Sequence, residues 1–463
     1  MSDMLGVRKV FFSLFVVVYF LFIPFSEAGL KDQVFETVLP NGLKVILLEN
    51  HKAPLVTFQV WYRVGSRNEE WGKTGLSHVL EHMMFKGTGK IGPLEFSRIV
   101  QENGGNDNAF TSRDYTAYFE NLSSDRIQVS IDLESDRMQN LNLREDDFRT
   151  ERMVVMEERR LRTDDNPGAV LQEQLEATAF QTQPYHWPII GWMGDLERLT
   201  LDDLKRYYRV YYNPVNAFIV AVGDFRKDDL LPRIEKAFGS YPKGEAPRQE
   251  KSIDPPQIGE RRILVKKEAQ LPSIVMGYKV PNLREPDSYV LEVIATLLSG
   301  GKSSRLYKGL VRDKRLVFGV DADHSLISKD PSLFYLSADL LPGKEVAEIE
   351  KALDEEVDRL QMTPVDEREL EKTKNQMEAF FVYSQDSLFS QAIILARHEI
   401  ALSWREADDY LPSIRKVTPE DIQRVAKRYL VKDNRTVGIL IPLPPKEGKP
   451  ESPGSSIKEH IVR

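Results

Sequence analysis

The chain repeats itself. Pro54 recurs as Pro272, and far downstream Thr200, Asp203, Leu204, Arg206, Tyr211 and Asn216 recur as Thr418, Asp421, Ile422, Arg424, Tyr429 and Asn434, all at an offset of 218 (272 − 54, 418 − 200). An offset that holds at both ends of each half marks duplication of a whole folding unit rather than of a short motif. Within each copy, short runs of strand character alternate with helical segments. Phe35–Leu39 and Leu43–Leu48 flank the turn Pro40-Asn41-Gly42, Val56–Gly65 alternates like a half-buried strand, and Ala217–Gly223 is apolar throughout. The expected fold is therefore α+β, with two homologous domains, each a mostly antiparallel sheet packed with helices, facing each other across a cleft.

The boundaries follow from composition. Arg8 and Lys9 precede an apolar run from Val10 to Phe25 and the small residues around Ala28, so residues 1–28 read as a signal peptide for export to a periplasm. That run falls short of the ~20 residues a membrane span wants, and an uncleaved N-terminal anchor is the alternative. The first domain then covers 29–241, and a linker rich in Pro, Gly and charge covers 242–259. The second domain covers 260–442, and a Pro-, Lys- and Glu-rich tail over 443–463 is expected to be disordered. The chain has no cysteine, which removes disulfides and thiol catalysis together. A net charge of −8 with the signs interspersed, and no basic block, excludes a nucleic-acid binder.

The chemistry concentrates in Gly75-Leu76-Ser77-His78-Val79-Leu80-Glu81-His82-Met83-Met84-Phe85. On a helix, His78 and His82 project from one face, one turn apart, with Glu81 on the same side. Two imidazoles so placed can grip one metal ion, and the carboxylate between them stands where a general base is needed. This is the H-x-x-E-H order, the reverse of H-E-x-x-H. A third ligand has to come from elsewhere. The best candidate is the acidic helix running from Glu151 to Arg160, in which Glu151 and Glu158 share a face. Glu157 points away from them and is expected to be solvated.

H-x-x-E-H followed, 76 positions after His82, by the second glutamate of E-x-x-V-V-x-x-E resembles the M16 family of zinc metallopeptidases, the family of pitrilysin, insulin-degrading enzyme and the mitochondrial processing peptidase. The resemblance covers nearly all of the chain after the leader. It implies one zinc ion per chain held by His78, His82 and Glu158, with Glu81 as base and Glu151 orienting a ligand. Asn108, Ala109 and Thr111 match the family's G-G-x-x-N-A-x-T strand, which implies that a peptide lies there as an added β-strand. The second copy places Thr296, Ser299 and Gly300 opposite the motif and has no metal site. In that copy Arg312 matches an arginine that, in the family, reaches substrate and oxyanion across the cleft. Phe318 stands where the family has a tyrosine, and it has no hydroxyl to donate.

The implied activity is zinc-dependent endopeptidase action on short or unfolded peptides, in a homodimer or a heterodimer with a related chain. The alternatives are a non-catalytic or partner-dependent M16 subunit and a zinc-binding exported protein. His186, His324 and His398 have no clustered acid or second histidine in sequence and are expected to be packing or surface residues.

Overall fold

The computed structural model of the chain describes residues 29–444. The predicted leader and nearly all of the predicted tail lie outside the described residues. The first half holds six strands: β1 (Val34–Val38), β2 (Lys44–Glu49), β3 (Leu55–Tyr62), β4 (Asn106–Thr111), β5 (Thr116–Ser123) and β6 (Ala217–Gly223). The second holds β7 (Arg261–Glu268), β8 (Ser273–Val280), β9 (Val317–His324), β10 (Ser332–Leu340) and β11 (Arg435–Leu443). The sheets run β1-β2-β6-β3-β5-β4 and β7-β11-β8-β10-β9. Strip β1 from the first and the orders coincide. Each sheet has one parallel pair, β2 with β6 and β7 with β11, and is otherwise antiparallel. The duplication seen in the residues is thus a duplication of topology, and the expected mostly antiparallel α+β class is the one observed.

Strand β11 continues through Leu443, which pairs with Glu268, so ordered structure passes the boundary placed at 442. The ladder with β7 offers partners for those last backbone groups, and composition alone cannot show that.

The sheets are tied together by an exchange of helices. Every residue of β6 is buried, on both faces. A strand buried on both faces needs a cover on each. One face packs on its own half's helices; the other is covered by the helix Leu388–Ala401, which comes from the second half. Its Ala392, Leu395, Ala396 and Ile400, with Trp404, pack on Ile46, Leu48, Trp61, Phe218, Val220 and Val222. Reciprocally, the helix Pro167–Ala179 of the first half lies on the second sheet, where Leu175 and Ala179 meet Leu333, Ile263 and Val275. Two glycines permit that approach. A Cβ on Gly438 would stand 3.0 Å from Leu171 Cδ1, and one on Gly277 would stand 3.1 Å from Leu175 Cδ2.

Polar contacts fix the same seam. Glu399, buried on the exchanged helix, takes an ion pair from Lys44 at 2.7 Å and one from Arg63 at 2.6 Å. Glu176 on the opposite helix accepts from Arg113 at 2.5 Å and from the Tyr335 hydroxyl at 2.8 Å. The stretch 242–259 contains no helix or strand, yet it is pinned at Asp254. That carboxylate accepts from the Gln181 and Thr182 amides at 2.7 and 2.8 Å and pairs with Lys279 of β8.

Candidate metal centre

The motif helix spans Leu76–Met83 and buries Leu76, Ser77, Val79, Leu80 and Met83 against the first half's core. His78, Glu81 and His82 are left on the other side. Its start is held without a capping side chain of its own, because Gly75 adopts φ +92° and lies face to face with Gly191. A Cβ on Gly191 would come within 2.6 Å of Gly75 Cα. The cap comes from Glu69, whose two oxygens accept from the Gly75 and Ser77 amides at 2.7 Å each. Burial pushes the Glu69 carboxyl up to about 8, against the pull of those two amides. Glu69→Ala strands two buried donors at roughly 1–3 kcal/mol each. It is expected to lower the thermal midpoint and loosen the helix that carries the histidines, to be checked by calorimetry together with metal titration.

The glutamate helix spans Glu145–Arg159 and packs along the motif helix. Glu151 and Glu158, two turns apart, both reach His82. Glu151 Oε2 is 3.1 Å from His82 Nδ1, and Glu158 Oε2 is 3.5 Å from His82 Nε2 and 3.7 Å from His78 Nε2. One donor atom from each of His78, His82 and Glu158 lies within 4.8 Å of the others. Glu157 turns outward to Arg160 at 2.8 Å.

Charge is distributed unevenly over the cluster. Burial, helped by the neighbouring His82, pushes the His78 imidazole down to about 4. Burial also opposes charge on His82, but hydrogen bonds to Glu151 and Glu158 overcome it and hold that imidazole up at about 9. Glu158 is held below the usual carboxylate range, first by its bond to His82. Glu151 is held low as well: burial raises it, and His82 and Lys86, whose Nζ is 2.6 Å away, bring it down. Because Glu151 is an ionised acceptor, His82 donates to it from Nδ1, and Nε2 is turned toward Glu158.

The residues fit a cation. Contacts of 3.5 and 3.7 Å lie at and beyond the outer limit of a hydrogen bond, so direct bonding satisfies these groups weakly. They are close to the ~3.4 Å that separates donors arranged tetrahedrally at ~2.1 Å around zinc. Two imidazoles and one carboxylate are also a donor set that zinc uses in catalytic sites. The His78 Nδ1 is buried with no hydrogen-bond partner among the described residues.

Glu81 sits beside the cluster and receives a hydrogen bond from Thr111 Oγ1. Burial raises its pKa, while Thr111 and His82 pull it the other way. Thr111, matched to the substrate strand, gives its hydroxyl to Glu81. Ala109 packs on the first half's core, and its amide is taken by the Asn108 side chain at 2.8 Å, on the outermost strand β4. Arg312 lies exposed on the π-helical segment Tyr307–Asp313 of the second half, bonded to Asp313 at 2.7 Å. Phe318 is 71% exposed on β9. Among the described residues no hydrogen bond or ion pair joins Arg312 to the histidines or to Glu81, Glu151 or Glu158. The structure thus gathers His78, Glu81, His82, Glu151 and Glu158 into one cluster, and leaves Arg312 and Phe318 apart from it.

His186, His324 and His398 have local partners. His186 Nδ1 is 2.6 Å from Gln183 O, His324 Nδ1 is 2.9 Å from Glu292, and His398 Nδ1 is 2.7 Å from Ile394 O. Three functional neighbours escaped sequence reasoning: Glu69, Lys86 and Arg162, the last 2.7 Å from Glu158 Oε1. Two had a signal, since Lys86 is one helical turn past His82 and Arg162 one turn past Glu158.

A duplicated α+β unit whose first copy carries, among the described residues, one His-His-Glu group able to hold a metal ion defines a two-domain architecture with a candidate metal centre. The family pattern described as "Insulinase (Peptidase family M16)" matches residues 44–191, and "Peptidase M16 inactive domain" matches 198–377. The zinc protease PqqE of Helicobacter pylori is 35% identical over 412 residues, covering 87% of this chain and 91% of that one. The crystal structure of a protease from Helicobacter pylori superposes with a TM-score of 0.84 at 34% identity, covering 88% of this chain and 99% of that one. The periplasmic protease PqqL of Escherichia coli shares the fold, with a TM-score of 0.73 at 18% identity, over 89% of this chain and 48% of that one. The chain belongs to peptidase family M16, the family of zinc metallopeptidases that its motifs resemble.

Proposed function

We propose that the chain is an exported zinc endopeptidase that hydrolyses short or unfolded peptides. The observation that carries this reading is the convergence of His78 Nε2, His82 Nε2 and Glu158 Oε2 beside a buried carboxylate. Zinc bound there would supply Lewis-acid polarisation of a water and of the scissile carbonyl. Glu81 accepts the proton of the attacking water and returns it to the leaving amine. Thr111 fixes the rotamer of Glu81, and Glu151, braced by Lys86, fixes the ring of His82. The outer edge of β4, with Asn108 and Ala109, receives the peptide backbone as an added strand. The resemblance would give Arg312 the role of reaching the substrate from the second half, where Phe318 stands in the place of a tyrosine.

The leader-like stretch of basic then apolar residues at the start of the chain supports export. Pairing with a second copy or a related chain completes the proposal. A relative 24% identical is named a mitochondrial-processing peptidase subunit beta, which supports a two-chain assembly.

The test is direct. The purified chain should hold one zinc and cleave a quenched fluorescent peptide, with o-phenanthroline abolishing cleavage and added zinc restoring it. Glu158→Ala should lose both zinc and cleavage. Cleavage that survives complete zinc removal overturns the reading. The second reading, a partner-dependent subunit, is favoured by Phe318, which has no hydroxyl, and by Arg312 bonding to Asp313 rather than to the cluster. It predicts normal zinc content with no cleavage until a related chain is added.

A further inference from the structure

The Glu158 carboxylate is divided between two jobs. Its Oε2 faces both imidazoles, at 3.7 and 3.5 Å. Its Oε1 is held 2.7 Å from Arg162 Nη1 on the outer side. That arginine stands on a π-helical turn, Arg160–Asp164, closed by a bond of 2.7 Å from the Asp165 amide to Arg160 O. Such turns are rare and cluster at functional sites. This one is anchored from below. The buried Arg159 donates to both oxygens of Glu173, at 2.9 and 3.0 Å, and to Gly191 O at 2.7 Å. Arg160 is engaged by Glu157 instead, so Arg162 is the cation left for Glu158.

The side chain of Arg162 is 71% exposed, so its ion pair adds little to folding stability. Its geometry bears on the site. A catalytic zinc centre keeps one position open beside three protein ligands. A glutamate gripping with both oxygens brings a fifth donor up against that position and crowds it. We propose that Arg162 is a positioning residue that holds Glu158 Oε1 away from the cation, so that Glu158 binds through one oxygen and the open position persists. This rests on the zinc reading above and names the residue that keeps the centre competent as well as loaded.

The test uses the full chain loaded with cobalt(II) in place of zinc, because visible absorption of cobalt reports coordination number. Wild type should give the intense bands of four-coordinate cobalt. Arg162→Ala should bind one cobalt per chain with weaker, five-coordinate bands. The zinc form of Arg162→Ala should lose roughly 10- to 100-fold in kcat with KM unchanged, and Arg162→Lys should recover part of both signals. Identical spectra for wild type and Arg162→Ala overturn the proposal, as does loss of metal in Arg162→Ala, which would make Arg162 a plain support of binding. Wild type that takes up no cobalt or zinc brings down the metal reading itself, a different result from either of those.

Discussion

Glu81→Gln is expected to reduce peptide hydrolysis by about 10²–10⁴-fold while zinc content stays at one per chain. The substitution is nearly isosteric, and the amide oxygen can still accept from Thr111 Oγ1, so the side chain keeps its place. What it loses is the capacity to take a proton. The three candidate ligand atoms belong to His78, His82 and Glu158, and none of them depends on the charge of residue 81 for its position. Glu151 and Lys86 hold His82 from the far side of its ring, and Arg162 holds Glu158. Initial rates on a quenched fluorescent peptide, alongside zinc analysis of the same preparation, separate the two effects. Activity within a few-fold of wild type would remove Glu81 from the chemistry. A parallel loss of zinc would make it a structural support of the site.

Much of this centre was legible from residue spacing because helices make spacing into geometry. His78, Glu81 and His82 had to share a face, and the apolar Val79, Leu80 and Met83 had to turn that helix's other side to the core. Glu151 and Glu158 share a face for the same reason, and both meet His82. The strand residues were harder. Alternation places Asn108 and Ala109 on opposite faces of β4, but which face looks at the motif helix depends on the pairing of β4 with β5 and on what packs below. The structure turns Thr111 toward Glu81 for that reason. Arg312 and Phe318 were matched by position in the chain, and position says nothing about how far the second half stands from the first.

The repeat at an offset of 218 revealed two units, yet not that each lends a helix to the other. Local amphipathicity identifies an apolar stripe on Pro167–Ala179 and on Leu388–Ala401 without naming the sheet that receives it. The one clue in the residues was Ala217–Gly223: a strand apolar on both faces demands covers on both, and the first half has helices enough for one.

That exchange leads to the second large effect: neither half is expected to fold alone. Residues 29–241 without the second half would expose the outer faces of Ile46, Leu48, Trp61, Phe218, Val220 and Val222, all now at most 3% accessible. Burial of a large apolar side chain is worth ~1.5–3 kcal/mol, so these six represent about 9–18 kcal/mol. Whole domains are stable by only about 5–15 kcal/mol. The same fragment would also carry Leu171 and Leu175 on a helix with no sheet beneath it. Residues 260–444 suffer the converse loss at Gly277 and Gly438, and would leave Ala392, Leu395 and Ala396 bare. Each fragment expressed alone should therefore lack a cooperative thermal transition and aggregate. Co-expressed, the two should assemble into a complex that binds zinc, because the seam is held by packed side chains, by the Glu399 ion pairs and by the hydrogen bond from Tyr335 to Glu176. The covalent link contributes mainly by keeping the local concentration of the partner high. A soluble, monomeric 29–241 fragment that melts cooperatively and binds zinc as the whole chain does would show that the exchanged helix from the second half is dispensable to the first.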